Sequence, residues 1–294
     1  MKRTIKMAWI QVNFFSNCLM RSVPLNVLLP AEYPGPPGAP LPEVRPFKTL
    51  YLLHGYHGNC NDWLLGADVQ SLSLEFGIAI VMPSGCNDFY VDAPSGSNNM
   101  SQFISDELVD FTRRLFQLSH RREDTILGGL SMGGYGTLYN CFAHSEVFGH
   151  GIALSAPGFL ESERLDSVSE EPNFMGISRG FYREVFGEDI DSLPDSPKNP
   201  RVAAALLKES GKPVPDMYIA CGYNDMLKYD NRRLCKALEE IGIPYFYEEG
   251  PGTHEWSFWS PYLRRGLERI ITDRPPAFVN PFWVDCDETE RGEA

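Results

Sequence analysis

The chain has 294 residues, 43% of them hydrophobic and 22% charged. That balance suits a globular protein with a buried core and excludes a disordered chain, a collagen and a coiled coil. Its 26 Lys and Arg stand against 39 Asp and Glu, a formal charge of −13; such a surface repels phosphate backbones and anionic lipid, so nucleic acid is not an expected partner.

The opening Met1-Lys2-Arg3 imitates the basic start of a signal peptide, but Lys6, Gln11, Asn13 and Asn17 interrupt any apolar stretch behind it. No apolar run is long enough for a membrane-spanning helix. Seven cysteines, Cys18, Cys60, Cys86, Cys141, Cys221, Cys235 and Cys286, form no C-x-x-C pair and are odd in number. Free thiols in a reducing compartment are expected, and neither a disulfide framework nor a zinc ribbon. The expected location is cytoplasmic, without membrane attachment.

Met7 to Phe15 and Leu19 to Leu29 read as an antiparallel strand pair joined near Ser16-Asn17. A short Pro/Gly loop, Pro34 to Pro42, follows. The rhythm then changes to short continuous apolar runs: Thr49 to Leu53, Ile78 to Met82, Thr125 to Leu127, Ile152 to Leu154, Met217 to Ala220 and Tyr245 to Tyr247. Such runs are strands buried on both faces, as in a parallel sheet. Helical spacing lies between and after them. Ile104, Leu108, Phe111 and Leu115 form one stripe. Leu234, Leu238 and Ile241 form another, with Asp230 as its N-cap and Gly242 as its stop. Trp259, Leu263, Leu267 and Ile270 mark a last helix. The expected fold is one α/β domain over residues 1–294, a mostly parallel sheet opened by antiparallel N-terminal strands, with helices on both faces. The segment Ala156 to Pro200 breaks the alternation. It is rich in acids (Glu161, Glu163, Asp166, Glu170, Glu171, Glu188, Asp189, Asp191) and carries Phe159, Phe174, Phe181 and Phe186. It is expected to be an insertion over the strand ends that acts as a cap on a pocket.

Chemistry concentrates at Gly129-Leu130-Ser131-Met132-Gly133, a G-x-S-x-G pattern. Alone the pattern is weak. Here the strand at Thr125 leads in and the helical residues Tyr135, Leu138 and Phe142 lead out, the strand–turn–helix setting of a nucleophile elbow. A serine needs a base. Of the six histidines, His144, His150 and His254 follow Ser131. His144 falls at the far end of the helix that begins at Ser131, and His150 at the amino end of a strand. His254 follows the last strand through Gly250-Pro251-Gly252-Thr253, at the carboxyl edge where Ser131 also lies. The acid belongs after the strand Met217 to Ala220. Asp225 lies there, Asp230 reads as the helix cap, and Asp216 precedes the strand. Asp225 is therefore expected to orient His254. Leu53-His54-Gly55-Tyr56 ends another strand, so the backbone N–H groups of Tyr56 and Met132 are the expected oxyanion donors. His54 reads as a hydrogen-bonder that stabilises this loop. Phe89, Tyr90 and Trp256, in loops at the same edge, are expected to wall the substrate pocket; His57 either touches substrate or faces water. No metal-ligand cluster is visible, and no cofactor is expected.

These motifs in this order resemble the esterase-D-like esterases of the α/β-hydrolase superfamily. The resemblance is carried by Tyr51-Leu52-Leu53-His54-Gly55-Tyr56-His57-Gly58-Asn59, by Gly128 to Gly136 around Ser131, by Cys221-Gly222-Tyr223-Asn224-Asp225, and by His254-Glu255-Trp256. The strand Arg21 to Pro30 also looks like that family's second strand, and the match spans about Met7 to Ile271. The family includes acetylesterases, tributyrin esterases, feruloyl esterases and S-formylglutathione hydrolases. The resemblance implies a metal-independent carboxylic ester hydrolase with Ser131 as nucleophile, Asp225 as acid and His254 as base. It also implies a small-molecule ester substrate and a homo-oligomer, dimer or tetramer. The nearest branch is that of acetyl and tributyrin esterases. S-formylglutathione hydrolases usually carry a serine where His54 stands, which argues against glutathione thioesters. Acyl transfer to another acceptor has no lipid-channel signature here, and a mere binding module would have lost one of the three residues.

Overall fold

The computed structural model describes residues 6–32, 46–158, 161 and 165–273. The N-terminal Met1-Lys2-Arg3, the loop Pro34 to Pro42, Phe159, Glu163 and Cys286 lie outside the described residues. Strands β1 (Lys6–Ser16) and β2 (Arg21–Glu32) form an antiparallel hairpin. Its one-sided pattern explains its place at the edge. Ile10, Val12 and Phe14 pack on the core, while Trp9 and Phe15 point to solvent, 52% and 57% exposed.

The next strand, β3 (Thr49–Leu53), is buried at every position. Its alternate residues feed both faces, Leu50 and Leu52 one core, Tyr51 and Leu53 the other. The Tyr51 hydroxyl, though inside, is satisfied by Thr112 at 2.8 Å. Helices α1 (Asp62–Gly66) and α2 (Val69–Phe76) lead to β4 (Ala79–Pro83). A helical turn Met100–Gln102 and a π turn Phe103–Glu107 run into α3 (Leu108–Leu115). Then come β5 (Thr125–Leu130), α4 (Met132–Ala143) and β6 (His150–Leu154). Next come α5 (Arg179–Phe186) and α6 (Pro200–Ser210), whose Pro at N1 and Asn199 cap start it firmly. The chain closes with β7 (Asp216–Gly222), α7 (Lys228–Ile241), β8 (Phe246–Gly250) and α8 (Trp256–Ile270).

Among the described residues eight strands make one sheet in the order β1-β2-β4-β3-β5-β6-β7-β8. Pairs from β4 onward are parallel; β1–β2 and β2–β4 are antiparallel. Residues of α1, α2 and α8 build the core on one face, and those of α3, α4, α6 and α7 the core on the other. The chain leaves β3 toward β4 on one side and β5 toward β6 on the other. Strand order reverses between β3 and β5, and in such a sheet ligands bind in the crevice at the carboxyl ends of those strands.

The expected α/β sheet with its antiparallel edge is the one observed. Three local expectations need correction. The last strand begins at Phe246 and continues through Glu248, Glu249 and Gly250. An edge strand is buried on one side only, so it tolerates carboxylates that a search for continuous apolar runs rejects; Glu249 is held by Arg232 and Tyr247. Helix α7 starts at Lys228 after Leu227, so Asp230 is not its cap. Asp230 sits buried in the first turn, bonded to Arg233 at 2.5 Å. Trp256 does not lie in a loop: it is the first residue of α8, and its ring meets Trp63 edge-on with centroids 5.1 Å apart. Gly242 ends α7 in the left-handed conformation expected of it, at φ +80°.

Candidate active site

Ser131 joins β5 to α4 at φ +51°, ψ −118°, a strained conformation for a residue with a side chain. Its N–H is pinned to the Leu154 carbonyl at 2.8 Å, which ties the turn to the end of β6. The first N–H groups of α4 have no intrahelical acceptor and point toward the same edge. Met132 is the first residue of that helix. The helix can begin so close to β3 because residue 133 is glycine. A β carbon there would fall 2.5 Å from the Leu53 carbonyl oxygen and 2.7 Å from that of His54. The loop after β3 is thereby pressed against the serine turn, with Gly55 in contact with Leu130 and Ser131.

That loop is braced from beneath. His54 is buried, with Nδ1–H donating to the Gly55 carbonyl (2.7 Å) and Nε2 accepting the Gly85 N–H (2.8 Å). This bonding assigns a neutral imidazole that links the loops after β3 and β4, the bracing role expected of it. The Tyr90 hydroxyl donates to the His54 carbonyl at 3.0 Å. His57 stands exposed at φ +64°, its N–H donating to Asn87. The neighbouring Gly58 N–H closes a turn onto Gly55.

The base and acid arrive from the other end of the sheet. Gly222, at the end of β7, lies so close to Gly252 that a β carbon would meet its carbonyl oxygen at 2.5 Å. Two bonds then run across, Tyr223 N–H to Gly250 O (2.7 Å) and Asn224 N–H to Gly252 O (3.1 Å). Zipped together in this way, the loops present Asp225 and His254 side by side. His254 Nδ1 lies 3.0 and 3.2 Å from the two carboxylate oxygens of Asp225, and His254 Nε2 lies 2.9 Å from Ser131 Oγ. With Nδ1–H donating to the carboxylate, Nε2 is left to accept the serine proton. The Asp225 carboxyl is buried. Burial works to raise its pKa, but hydrogen bonds from His254, the Leu227 N–H and Ser155 outweigh it and hold the pKa below the ordinary carboxylate value. The structure thus brings together all three residues singled out as triad members.

The aromatic residues divide. Phe89 and Tyr90 both adopt positive φ, +54° and +58°. Tyr90 has no exposed surface, so it is a strut under the loop and not the pocket wall it was expected to be; Gly136 of α4 packs directly on its ring. Phe89, 5% exposed, is the hub of a cluster with Tyr56, Tyr135, Phe181 and Phe186 at centroid distances of 5.7 to 6.1 Å. Helix α5 of the insertion supplies two of these rings, and Phe181 meets Tyr56 edge-on at 5.7 Å. Sequence reading did not assign Phe181 a place beside Tyr56, nor Ser155 one beside Asp225, since neither lies near a motif. Among the described residues no three His, Cys, Asp or Glu side chains gather as metal ligands, and no helix is long and apolar enough to cross a membrane.

With this geometry in hand, comparison with known proteins is decisive. Residues 16–270 match the family described as "Putative esterase". The chain belongs to that family. It is 37% identical over 262 residues to an acetyl esterase of Caldicellulosiruptor saccharolyticus, covering 89% of this chain and 97% of that one. Among solved structures it resembles the fluorophosphonate-binding serine hydrolase FphF of Staphylococcus aureus, in its substrate-bound form, with TM-score 0.77 and 26% identity over 91% of this chain and 99% of that one. It also resembles the S-formylglutathione hydrolase FrmB of the same organism, with TM-score 0.75 and 26% identity over 90% and 99%. The esterase is accordingly an α/β-hydrolase-fold carboxylic ester hydrolase acting on small-molecule esters.

Buried His54 has its pKa lowered from 6.5 by desolvation. The folded state therefore binds fewer protons than the unfolded chain below about pH 6.5, and stability is lost as pH falls through the folded pKa. Melting temperatures measured from about pH 7 down to about pH 5 should fall. The fall should be smaller in His54→Gln, which has no imidazole to protonate.

Proposed function

We propose that the esterase hydrolyses short-chain, acetyl-type esters through a Ser131–His254–Asp225 triad and an acyl-enzyme. The observation that carries this reading is the continuous bonded line from Ser131 Oγ through His254 to the Asp225 carboxylate. Ser131 attacks the ester carbonyl as His254 Nε2 takes its proton. The N–H groups of Tyr56 and Met132 receive the oxyanion; both flank Ser131, and Met132 N–H begins a helix. His254 returns the proton to the leaving alcohol. Water, activated by the same imidazole, then releases the acid.

Substrate size follows from the aromatic cluster. Segment 156–200 serves as a cap in a one-domain chain of residues 1–294, and its Phe181 closes on Tyr56 beside the oxyanion loop. This crowding of rings around the half-buried Tyr56 supports a small acyl group. Exposed His57 lies tilted against Tyr56 with centroids 4.3 Å apart, which supports a substrate contact for it. Trp256 braces the start of α8 just after His254, its ring meeting Trp63 and Trp259 edge-on. A flat hydroxycinnamoyl group stacking on these rings is a second reading. Glutathione thioester cleavage is a third, favoured by the likeness to FrmB.

Cys18, Cys60, Cys86, Cys141, Cys221 and Cys235 are unpaired thiols, which supports a cytoplasmic location. Strand β1 is an eleven-residue edge with Trp9 and Phe15 exposed, which supports self-association. Light scattering should return a dimer or tetramer mass; a monomer mass refutes this part.

Wild type and Ser131→Ala should be assayed side by side on p-nitrophenyl acetate, p-nitrophenyl octanoate, methyl ferulate and S-formylglutathione. The acetate should be preferred, and Ser131→Ala should lower kcat by about 10⁴-fold or more. Preference for the ferulate or the thioester would select the second or third reading, and full turnover in Ser131→Ala would remove the triad. Phe181→Ala should raise kcat/KM for octanoate relative to acetate by about tenfold, the scale of a few methylenes admitted to an apolar pocket.

A further inference from the structure

We infer that a cleft between the N-terminal hairpin and the loop after β3 is a binding site for a neutral saccharide, separate from the catalytic serine. Its lining includes no triad member, no oxyanion donor and no ring of the aromatic cluster. The inference therefore stands whether or not the triad reading does.

The cleft has a volume of about 340 Å³, within the range of small-molecule pockets, about 300 to 1,000 Å³. Its polar lining is Gln11, Asn13, Asn26, Asn59, Asn61 and Ser84; the rest is apolar apart from the Cys60 thiol. Side chains alternate along a strand, so Gln11 and Asn13 share one face of β1 with Trp9. Gln11 stands opposite Asn26 of β2, and Asn13 opposite Pro24. Ser84 follows β4, its N–H donating to the Pro24 carbonyl at 3.0 Å. Asn59 and Asn61 belong to the loop after β3.

Asn26 holds the cleft in shape from beneath, at 1% exposure. Its Nδ2–H groups donate to the Cys60 carbonyl and to Asn61 Oδ1, both at 2.9 Å, and its oxygen accepts the Trp9 indole N–H at 2.9 Å. One buried amide thus fastens hairpin, loop and indole together. Asn59 Oδ1 accepts the Asn61 N–H at 2.9 Å, and the Asn59 N–H donates to Asp62 at 3.1 Å. These bonds leave the Nδ2–H groups of Asn59 and Asn61, and the whole carboxamides of Gln11 and Asn13, unengaged among the described residues.

The chemistry of this lining selects its ligand. None of its ten residues carries a charge, on a chain whose formal charge is −13. Burial pushes the Cys60 thiol up, so it too is neutral. An anion finds no cation in the lining, and a cation finds no carboxylate. An apolar ligand would strip water from the amides without replacing its bonds. A sugar hydroxyl both donates and accepts, and a carboxamide offers an acceptor and two donors in one plane, so adjacent amides satisfy adjacent hydroxyls. Trp9 supplies the apolar half of such recognition. Its ring is 52% exposed and its orientation is fixed by the bond to Asn26. It presents a flat face to the C–H side of a pyranose, two positions from Gln11 on the same strand face.

The test titrates the full chain by calorimetry with cellobiose, xylobiose and maltose, and with glycerol and digalacturonic acid alongside. At least one neutral disaccharide should bind saturably, with Kd on the order of 1 mM. Gln11→Ala combined with Asn13→Ala, both exposed on the edge strand, should raise that Kd by about tenfold, the scale of one or two hydrogen bonds. Ser131→Ala should bind as wild type does. Absence of saturable binding in the millimolar range overturns the inference. So does a Kd that the double variant leaves unchanged, or binding lost in Ser131→Ala, since either places the sugar elsewhere. Glycerol binding as tightly as the disaccharides would remove the ring from the recognition, and digalacturonic acid doing so would remove the preference for a neutral ligand; each overturns it equally. Should the double variant not fold, Asn13→Ala alone decides by the same change in Kd.

Discussion

The site depends on one close approach, that of the start of α4 to the end of β3. With glycine at position 133 the helix backbone meets the carbonyls of Leu53 and His54 at a distance no side chain could share. That contact sets the serine turn beside the loop that carries Tyr56. Electrostatic stabilisation of an oxyanion needs donors already in place before charge develops, since donors that must reorganise lose most of their value. Here the placement is secured by packed backbone and needs no mobile side chain. His54 and Tyr90 then lock the loop from below, through bonds from buried polar groups that would be costly to leave unmade.

The second half of the site is assembled by a different device. Asp225 and His254 sit on loops that follow different strands, and a loop is ordinarily the least ordered part of a fold. These two are zipped by backbone bonds from Tyr223 and Asn224 to Gly250 and Gly252. Strain appears where the two halves meet. Ser131 and Ser155 both hold positive φ, and both have their N–H groups pinned to carbonyls of the adjoining strand, Leu154 and Ala220. Such conformations persist because the surrounding bonds over-determine them. The sheet's carboxyl edge is thus a row of forced turns, each tied to the next strand along.

The aromatic cluster forms a third layer, apart from both. Its helix α5 and the rings of Phe181 and Phe186 belong to a segment whose sequence has no motif. Phe89 links this layer to the site, since it touches Tyr56 of the loop after β3, Tyr135 of α4 and Phe181 and Phe186 of α5. A change in α5 can therefore be felt at the loop after β3 through contacts between rings, without any change in Ser131, His254 or Asp225.

Sequence alone determined much of this. Continuous apolar runs announced the buried parallel strands, because a strand covered on both faces has few places for a polar side chain and must satisfy each one, as Thr112 does for Tyr51. Ser131, Asp225 and His254 were legible because each follows a strand at the same edge, and strand direction in a parallel sheet dictates which edge that is. Local signals failed where burial is one-sided or where partners come from afar. Strand β8 extends through Glu248 and Glu249 because an edge strand accepts carboxylates paired to neighbouring helices. Asp230 looked like a cap but lies inside a helix, its charge met by Arg233. Tyr90 and Phe89 occupy one loop two residues past Asn87, yet one ring is a buried strut and the other a hub. Only the tertiary structure decided these cases, and only it brought Trp259 against both Ser155 and His254. That serine and that tryptophan stand 104 positions apart with no pattern linking them; their bond exists because the ends of β6 and α8 pack together, and packing between distant segments leaves no periodic trace in sequence.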